Sequence, residues 1–576
     1  MIENIDATPG PFEFGYLAGT DDLGRELSHH GEVPAPREDR HVGLFYFLWL
    51  GQHTRTGPYN ITKILAETPE AAYDPDHPAW GPRGAFHHWG ESLFDYYFSD
   101  DAWVLRKHAQ MLAIAQVDFL VFDTTNAFTY KGVYDKLLGV FDDVRRQGWD
   151  VPQVVFYTNA RSGETIENIY ADLYEPRRYP ELWFELDGKP LIIGDPDQVS
   201  DEVREFFTFR RNQWPIEPMK PYGFPWISFT RPQEVFYVDG EPDVVNVAVG
   251  IHNNLPFSDQ PFYGYGNNWS RSFHDGALDP DPNAYLHGYN FTEQWEHALA
   301  VDPRMVMVTG WNEWVAQRFD GPPERPIFFV DQATVEFSRD AEPMKGGYND
   351  NYYLQLVDFI RQYKGLGTQA SPGNERSIDI DGPFSQWNDV QPAYRDFTGD
   401  TVERNHPGFG GATYTNDTGR NDFAELKVAR DDRYVYFYAR AAEAITGADA
   451  NRNWMTLLVN VDGDGTNGWK GFDVAVNRIG ADRHRTWLER TNRGWAWQKV
   501  EKVDVRVSGS EIQIAVPRRF LRLAVDDHGR LQLEFKWADN MQNDGDVMDF
   551  YLHGDAAPDG RFSYVYTEDP HLLPRP

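Results

Sequence analysis

A chain of 576 residues is too long for one hydrophobic core and calls for two or three domains. Its formal net charge of −35 repels phosphate backbones and anionic headgroups, so nucleic acid and membrane surfaces are not expected as partners. The absence of cysteine removes disulfides, thiolate nucleophiles and cysteine-ligated metals.

The aromatic content of 15%, with 19 Trp and 30 Tyr, suits a protein that stacks sugar faces on rings, and equally suits large aromatic cores. The first residues, MIENIDATPGPFEFGY, lack the basic and apolar regions of a signal peptide. The expectation is a cytoplasmic protein, or a secreted one whose signal has been removed. No apolar run approaches the ~20 residues of a membrane span.

Residues 1–40 are polar and irregular and read as an arm on the surface. From 41 to 365 strands alternate with helices. VGLFYFLWL (42–50) is a continuous apolar strand. SDDAWVLRKHAQMLAIAQ (99–116) is a helix with Ser99 as its candidate cap. VDFLVFDTTN (117–126) is the next strand, and GVYDKLLGVFDDVRRQGW (132–149) a second amphipathic helix. PQVVFYTNA (152–160), KPLIIGDP (189–196), PWISF (225–229) and VVNVAVGI (244–251) are further strands. NFTEQWEHALA (290–300) opens with Asn290 and Glu293 in capping-box spacing. MVMV (305–308) is the seventh strand, and YYLQLVDFIRQYKG (352–365) the closing helix.

Apolar strands alternating with amphipathic helices predict a parallel sheet covered on both faces, here a TIM-type (β/α)8 barrel. An eighth strand is expected between 255 and 290. A doubly wound sheet is the competing architecture, but no G-x-G-x-x-G follows any strand. After a linker over 366–376 the pattern changes. LKVARDDRYVYFYARA (426–441), WMTLLVNVDGDG (454–465), VDVRVSGSEIQIAVP (503–517) and LQLEFKWAD (531–539) alternate with turn signals and lack helical periodicity. Residues 377–576 therefore read as an all-β antiparallel sandwich.

In a barrel, chemistry gathers at the carboxyl ends of the strands. Polar residues just past the apolar runs are Asp123, Asn126, Asn159, His252, Asn312 and Glu313. The long loop after the first strand adds His53, His88, Trp89 and Glu91. Carboxylates, imidazoles, amides and indoles so placed are what glycosidic hydrolysis needs: one acid protonates the leaving oxygen, a second carboxylate attacks or activates water, and indoles such as Trp89, Trp311 and Trp314 floor the sugar. Glu313 is the first catalytic candidate, because a solvated charge does not fit between tryptophans at the end of a buried strand. Glu91 and Asp123 are candidates for its partner, although Glu91 also invites an ion pair with Arg83, and Asp123 a cap on its own turn. His252, Asn126, Asn312, Asn159, His53 and His88 are candidate sugar contacts. The adjacent pair His87–His88 and the absence of H-E-x-x-H and G-x-S-x-G argue against zinc and serine hydrolase chemistry. In NVDGDGTNGW (460–469), Asp462 and Asp464 offer oxygen ligands for a structural calcium, with an ordinary turn as the competing reading. No other cofactor is expected.

TGWNEW (309–314), at a late strand and ahead of a closing helix, resembles glycoside hydrolase families 71 and 99. The family-99 motif reads N-E-W-x-E, and Asn312, Glu313 and Trp314 match its first three residues. The resemblance implies a (β/α)8 enzyme acting on α-linked glycans, with Glu313 as a base assisting the sugar's neighbouring hydroxyl. The motif's second acid falls on Ala316, so a proton donor has to come from elsewhere. IDIDGPFSQWNDV (378–390), DDRYVYFYARA (431–441), NVDGDG (460–465) and WADNMQNDGDVMDFYLHGD (537–555) resemble the family-9-like carbohydrate-binding sandwich. The expected function is hydrolysis of a poly- or oligosaccharide. A non-catalytic glycan-binding protein and a metal-dependent carbohydrate esterase are its rivals.

Overall fold

A computed structural model describes residues 17–253, 255–367, 371–447, 453–479, 484–521 and 530–568. Eight strands run parallel and neighbour one another in chain order. They are β1 (His41–Tyr46), β2 (Phe119–Thr124), β3 (Gln153–Thr158), β4 (Lys189–Ile193), β5 (Thr208–Gln213), β6 (Gly223–Pro225), β7 (Glu241–Ala248) and β8 (Met305–Thr309). β8 returns to pair with β1, Met305 opposite His41, so the sheet closes almost fully. The opening lies between β6 and β7, where no ladder forms and the strand Val235–Val238 pairs antiparallel with β7. Asn246 of β7 spans it, donating from Nδ2 to the carbonyl of Trp226, just past β6, at 3.0 Å.

Helices follow most strands: α1 (Ala102–Ile114), α2 (Lys131–Arg146), α3 (Ser162–Ile169), α4 (Asp201–Phe206), α5 (Tyr289–Val301) and α6 (Asn351–Lys364). β5 and β6 are followed by turns and a hairpin instead. The two-residue alternation of strands divides the apolar residues. β2 sends Phe119 and Val121 into the inner core with Phe45, Tyr157 and Met307, and turns Leu120 and Phe122 toward the helices. A Cβ at Gly43 would lie 2.4 Å from the Phe119 ring, so only glycine lets β1 and β2 pack there.

Several expectations change, and the strand read at 225–229 is the short β6, which ends at Pro225. The eighth strand is β5, TFRRNQ, and not part of 255–290, which instead carries a short helix (Asp259–Tyr263) and the two-residue strands Phe273–His274 and Ala277–Leu278. Its polarity hid it: Arg210 is buried against Asp243 of β7 at 2.8 Å. Helix α1 is capped by Asp101, whose side chain accepts from the Trp103 amide, rather than by Ser99. The capping box at Asn290 and Glu293 does not form, because Asn290 is buried and donates to the carbonyls of Ala248 and Val249.

Apart from a few two-stranded ladders, the other strands form one antiparallel sheet of twelve, running from Ala393–Arg395 through Phe423–Arg430 and Tyr434–Ala441 to Gln532–Asp539 and Ser563–Thr567. Its two ends face each other. Tyr394 and Phe437 meet Phe535 at 5.1 and 5.9 Å between ring centres. The N-terminal arm is not confined to the surface. Leu17–Ala18 pairs with Ser563–Tyr564 as an edge strand, and Leu17 and Leu27 are buried. Residues 1–16 of that arm and 368–370 of the linker lie outside the described residues.

Candidate active site

The carboxyl ends of the strands open into a cavity of about 600 Å³. The inward parity of β1 continues through Phe45 and Phe47, and that of β2 through Asp123, so these side chains reach it directly. Trp214 enters from beyond β5, Trp226 from beyond β6 and Glu313 from beyond β8. Trp49, His53, Phe86, Phe128 and Tyr130 form much of the rim.

Glu313 is held from two sides. The amide of Trp311 donates to the carbonyl of Phe45 at 2.9 Å. Asn312 Oδ1 accepts from the Phe47 amide at 2.8 Å, and its Nδ2 donates to the Phe47 carbonyl at 3.2 Å, tying this loop to the end of β1. On the other side residues 339–342 run alongside, with Gly310 N donating to Arg339 O and Glu342 N to Trp311 O. The Glu313 amide donates to Asp340 Oδ1 at 2.9 Å. Its carboxylate accepts from Arg339 Nη2 at 2.7 Å. The same nitrogen lies 3.2 Å from Asp331 Oδ1, which puts the two carboxylate oxygens within ~6 Å of each other.

Arg339 organises this wall. Its guanidinium lies over the Trp226 ring at 4.9 Å. Its Nη1 donates to His252 Nδ1 at 3.2 Å, leaving the proton of a neutral imidazole on Nε2, 3.7 Å from Asp331 Oδ1. Burial pushes the Glu313 carboxyl well above the usual carboxylate range. Arg339 opposes that shift, while Asp331 and Asp340 add to it. Burial likewise raises Asp340 to about 6 and lowers His252 to about 4. Asp123 is raised by burial, with Thr125 opposing and Asp331 adding. Thr125 donates to Asp123 Oδ1 from its hydroxyl at 2.7 Å and from its amide at 3.1 Å.

The cavity thus brings together Glu313, Asp123, Asn126 and His53, with His252 packed behind Arg339. His53 Nε2 lies 2.9 Å from the Tyr130 hydroxyl. Other candidates lie elsewhere. Glu91 is engaged by Lys63 at 2.7 Å and Lys345 at 3.2 Å, rather than by Arg83, and does not line the cavity. His88 is buried between the edges of Tyr96 and Phe409. Trp89 and Trp314 stack on each other at 4.3 Å in the core. Trp89 donates to the Glu313 carbonyl, and Trp314 to Glu342. Trp311 is buried against His108 and Tyr353. Asn159 is exposed and accepts from Asn212. The indoles at the cavity are Trp49, Trp214 and Trp226 instead. Asp462 and Asp464 are occupied by their own loop: Asp462 accepts from the Asp464 amide and Asn467, and Asp464 from Thr466. Among the described residues no third acid or histidine comes close enough to share an ion with them.

Sequence reasoning passed over Asp331, Arg339 and Asp340. Asp331 directly follows the apolar run IFFV (327–330), the very signal that singled out Asp123 and Glu313.

The chain matches no protein-family model and no curated protein. Among solved structures it is similar to the glycoside hydrolase family 99 endo-α-mannosidase from Bacteroides thetaiotaomicron, at 16% identity and a TM-score of 0.34, over 57% of this chain and 98% of that one. The same enzyme in complex with bis-tris-propane gives 14% identity and a TM-score of 0.33, over 57% and 97%. A protein described as glycoside hydrolase-like gives 13% identity and a TM-score of 0.29, over 58% and 96%.

Proposed function

We propose that the protein is a glycoside hydrolase acting on a poly- or oligosaccharide, with a (β/α)8-type catalytic barrel. The carrying observation is one aromatic-lined cavity with three carboxylates on its walls, Glu313, Asp331 and Asp123, of which Glu313 is buried and has its carboxyl raised well above the usual carboxylate range by that burial. A carboxyl raised by burial is suited to general-acid work at neutral pH. In this reading Glu313 protonates the leaving oxygen. Asp123, which reaches the same cavity from β2, acts on the sugar carbon or on the water that attacks it. Asp331 and Arg339 set the proton affinity of Glu313. Trp214, Trp226 and the rim rings supply the stacking surface, and Asn126 and His53 the hydroxyl contacts. The antiparallel sheet is assigned a carbohydrate-binding role in the same proposal.

A panel of glycans incubated with the wild type, Glu313→Gln and Asp123→Asn tests it. Sugar release by the wild type, reduced at least ~100-fold in each variant, is the expected result. The ion pair between Glu313 and Arg339, with alanine at 316, favours a second reading in which the cavity binds glycan without cleaving it. Glycan binding by the wild type with no release from any panel member would select that reading.

A further inference from the structure

A second cluster of acids lies far from the cavity, where helix α1 meets the antiparallel sheet. One carboxylate oxygen from each of Asp400, Asp422 and Asp555 lies within 4.8 Å of the other two. With every separation under 4.8 Å, some point lies within ~2.8 Å of all three oxygens, close enough for them to share one cation at about Ca²⁺–oxygen distances. Asp400 and Asp559 are more than nine-tenths buried, and both line a polar cavity of about 10 Å³, the size of one water or one ion. Asp400 Oδ1 and Asp559 Oδ2, of residues lining this cavity, are buried without a hydrogen-bond partner, and so is Asp422 Oδ1 beside them in the acid cluster. Unpaired buried carboxylate oxygens are costly, and a cation is what relieves them.

The protein's own cations do not suffice. Lys107 reaches Asp559 at 3.4 Å and stands 3.9 Å from Asp400. Lys536 donates to the Pro558 carbonyl. Arg106 acts on Asp422 only through space. The neighbouring donors are instead spent on orienting the acids. Gln110 of α1 holds Asp400 Oδ2 at 2.8 Å, the Gly399 amide holds Asp422 Oδ2 at 2.7 Å, and the Phe423 amide holds Asp555 Oδ2 at 2.6 Å.

We propose that Asp400, Asp422 and Asp555 bind one Ca²⁺-sized divalent cation, which fastens the antiparallel sheet to helix α1 of the barrel. The test uses the full-length protein after chelation, titrated with Ca²⁺ by calorimetry and with Tb³⁺ by luminescence sensitised through Trp103, which lines the same cavity. The expected result is one equivalent bound, a rise in Tm on adding Ca²⁺, and at least ~10-fold weaker binding in Asp422→Asn and Asp400→Asn, with Asp462→Asn unchanged. Asp422 is only half-buried, so its variant is expected to fold. No saturable binding by the wild type up to ~5 mM Ca²⁺, beyond the weakest natural calcium modules, would overturn the proposal. So would one-equivalent binding that survives Asp422→Asn or disappears in Asp462→Asn.

Discussion

Glu313, Asp331 and His252 share one guanidinium, and each responds to the loss of another. Asp331 raises the Glu313 carboxyl, so replacing it with Asn lowers that pKa. If the protonated form of Glu313 is the active one, activity falls as pH rises through its pKa. Asp331→Asn should therefore move the basic limb of the pH–rate profile to lower pH, and a limb that stays put or moves up would contradict the assignment. His252 carries a stability consequence. Its folded pKa, about 4, lies below the unfolded value near 6.5, so the unfolded chain binds the proton more readily. The stability it contributes as a neutral group is present above pH ~6.5 and is lost as pH falls toward 4. At pH 5 that loss is about 2 kcal/mol relative to neutral pH. His252→Gln should be free of it, so the stability gap between wild type and variant should shift against the wild type by that amount between pH 7.5 and 5 in denaturant titrations. At this scale the sequence disclosed Glu313, Asp123 and Asn126 through their place after apolar runs. It misdirected the reading at Trp89, Trp314 and His88, because a ring beside a catalytic candidate looks the same whether it faces the cavity or the core.

Among the elements, β5 shows where apolar patterning fails. A strand whose inner face carries an ion pair reads as a loop, and TFRRNQ does so because Arg210 is matched by Asp243, which lies 33 positions on. Six strands were legible as continuous apolar runs, whereas the run PWISF (225–229) lies mostly past β6, which is the short Gly223–Pro225. The cost of the hidden pair should be visible. Arg210→Met leaves Asp243 buried and unpaired and should destabilise by about 3–5 kcal/mol, while Arg210→Met with Asp243→Leu should recover most of it. Equal destabilisation by the single and double variants in chemical denaturation would show that the pair does not hold β5 in the sheet. Asn312 plays the matching part at the cavity. Its two hydrogen bonds to the Phe47 backbone fix the loop that carries Glu313, a role its motif position did not reveal.

Across the whole molecule, the barrel and the antiparallel sheet are joined by buried polar contacts. Asp350, at the start of α6, accepts from Arg561 Nη2 at 2.7 Å and from the Tyr551 hydroxyl at 2.9 Å. Arg404 reaches Asp101 at the cap of α1, and Trp149 stacks on Phe397 at 4.0 Å. The N-terminal segment crosses between them, pairing with the sheet through Leu17–Ala18 and with Asp358 of α6 through the Ser28 amide at 2.7 Å. Unfolding should therefore be one calorimetric transition, and Arg561→Met should lower its midpoint, since it strands Asp350 without its cation. Two separable transitions would contradict the coupling. Sequence periodicity exposed the change from helical to antiparallel patterning near residue 377. It carried no signal for this interface, whose partners Arg561 and Asp350 lie 211 positions apart and Arg404 and Asp101 303 apart.

The central claim rests on Glu313 giving up a proton to a glycan held in the cavity. The most direct test takes the first glycan the wild type cleaves and measures its turnover and binding in Glu313→Gln, which keeps the side-chain shape and removes the acid. The account predicts a fall in kcat of at least ~100-fold with glycan affinity retained. Turnover within a few-fold of the wild type would contradict it.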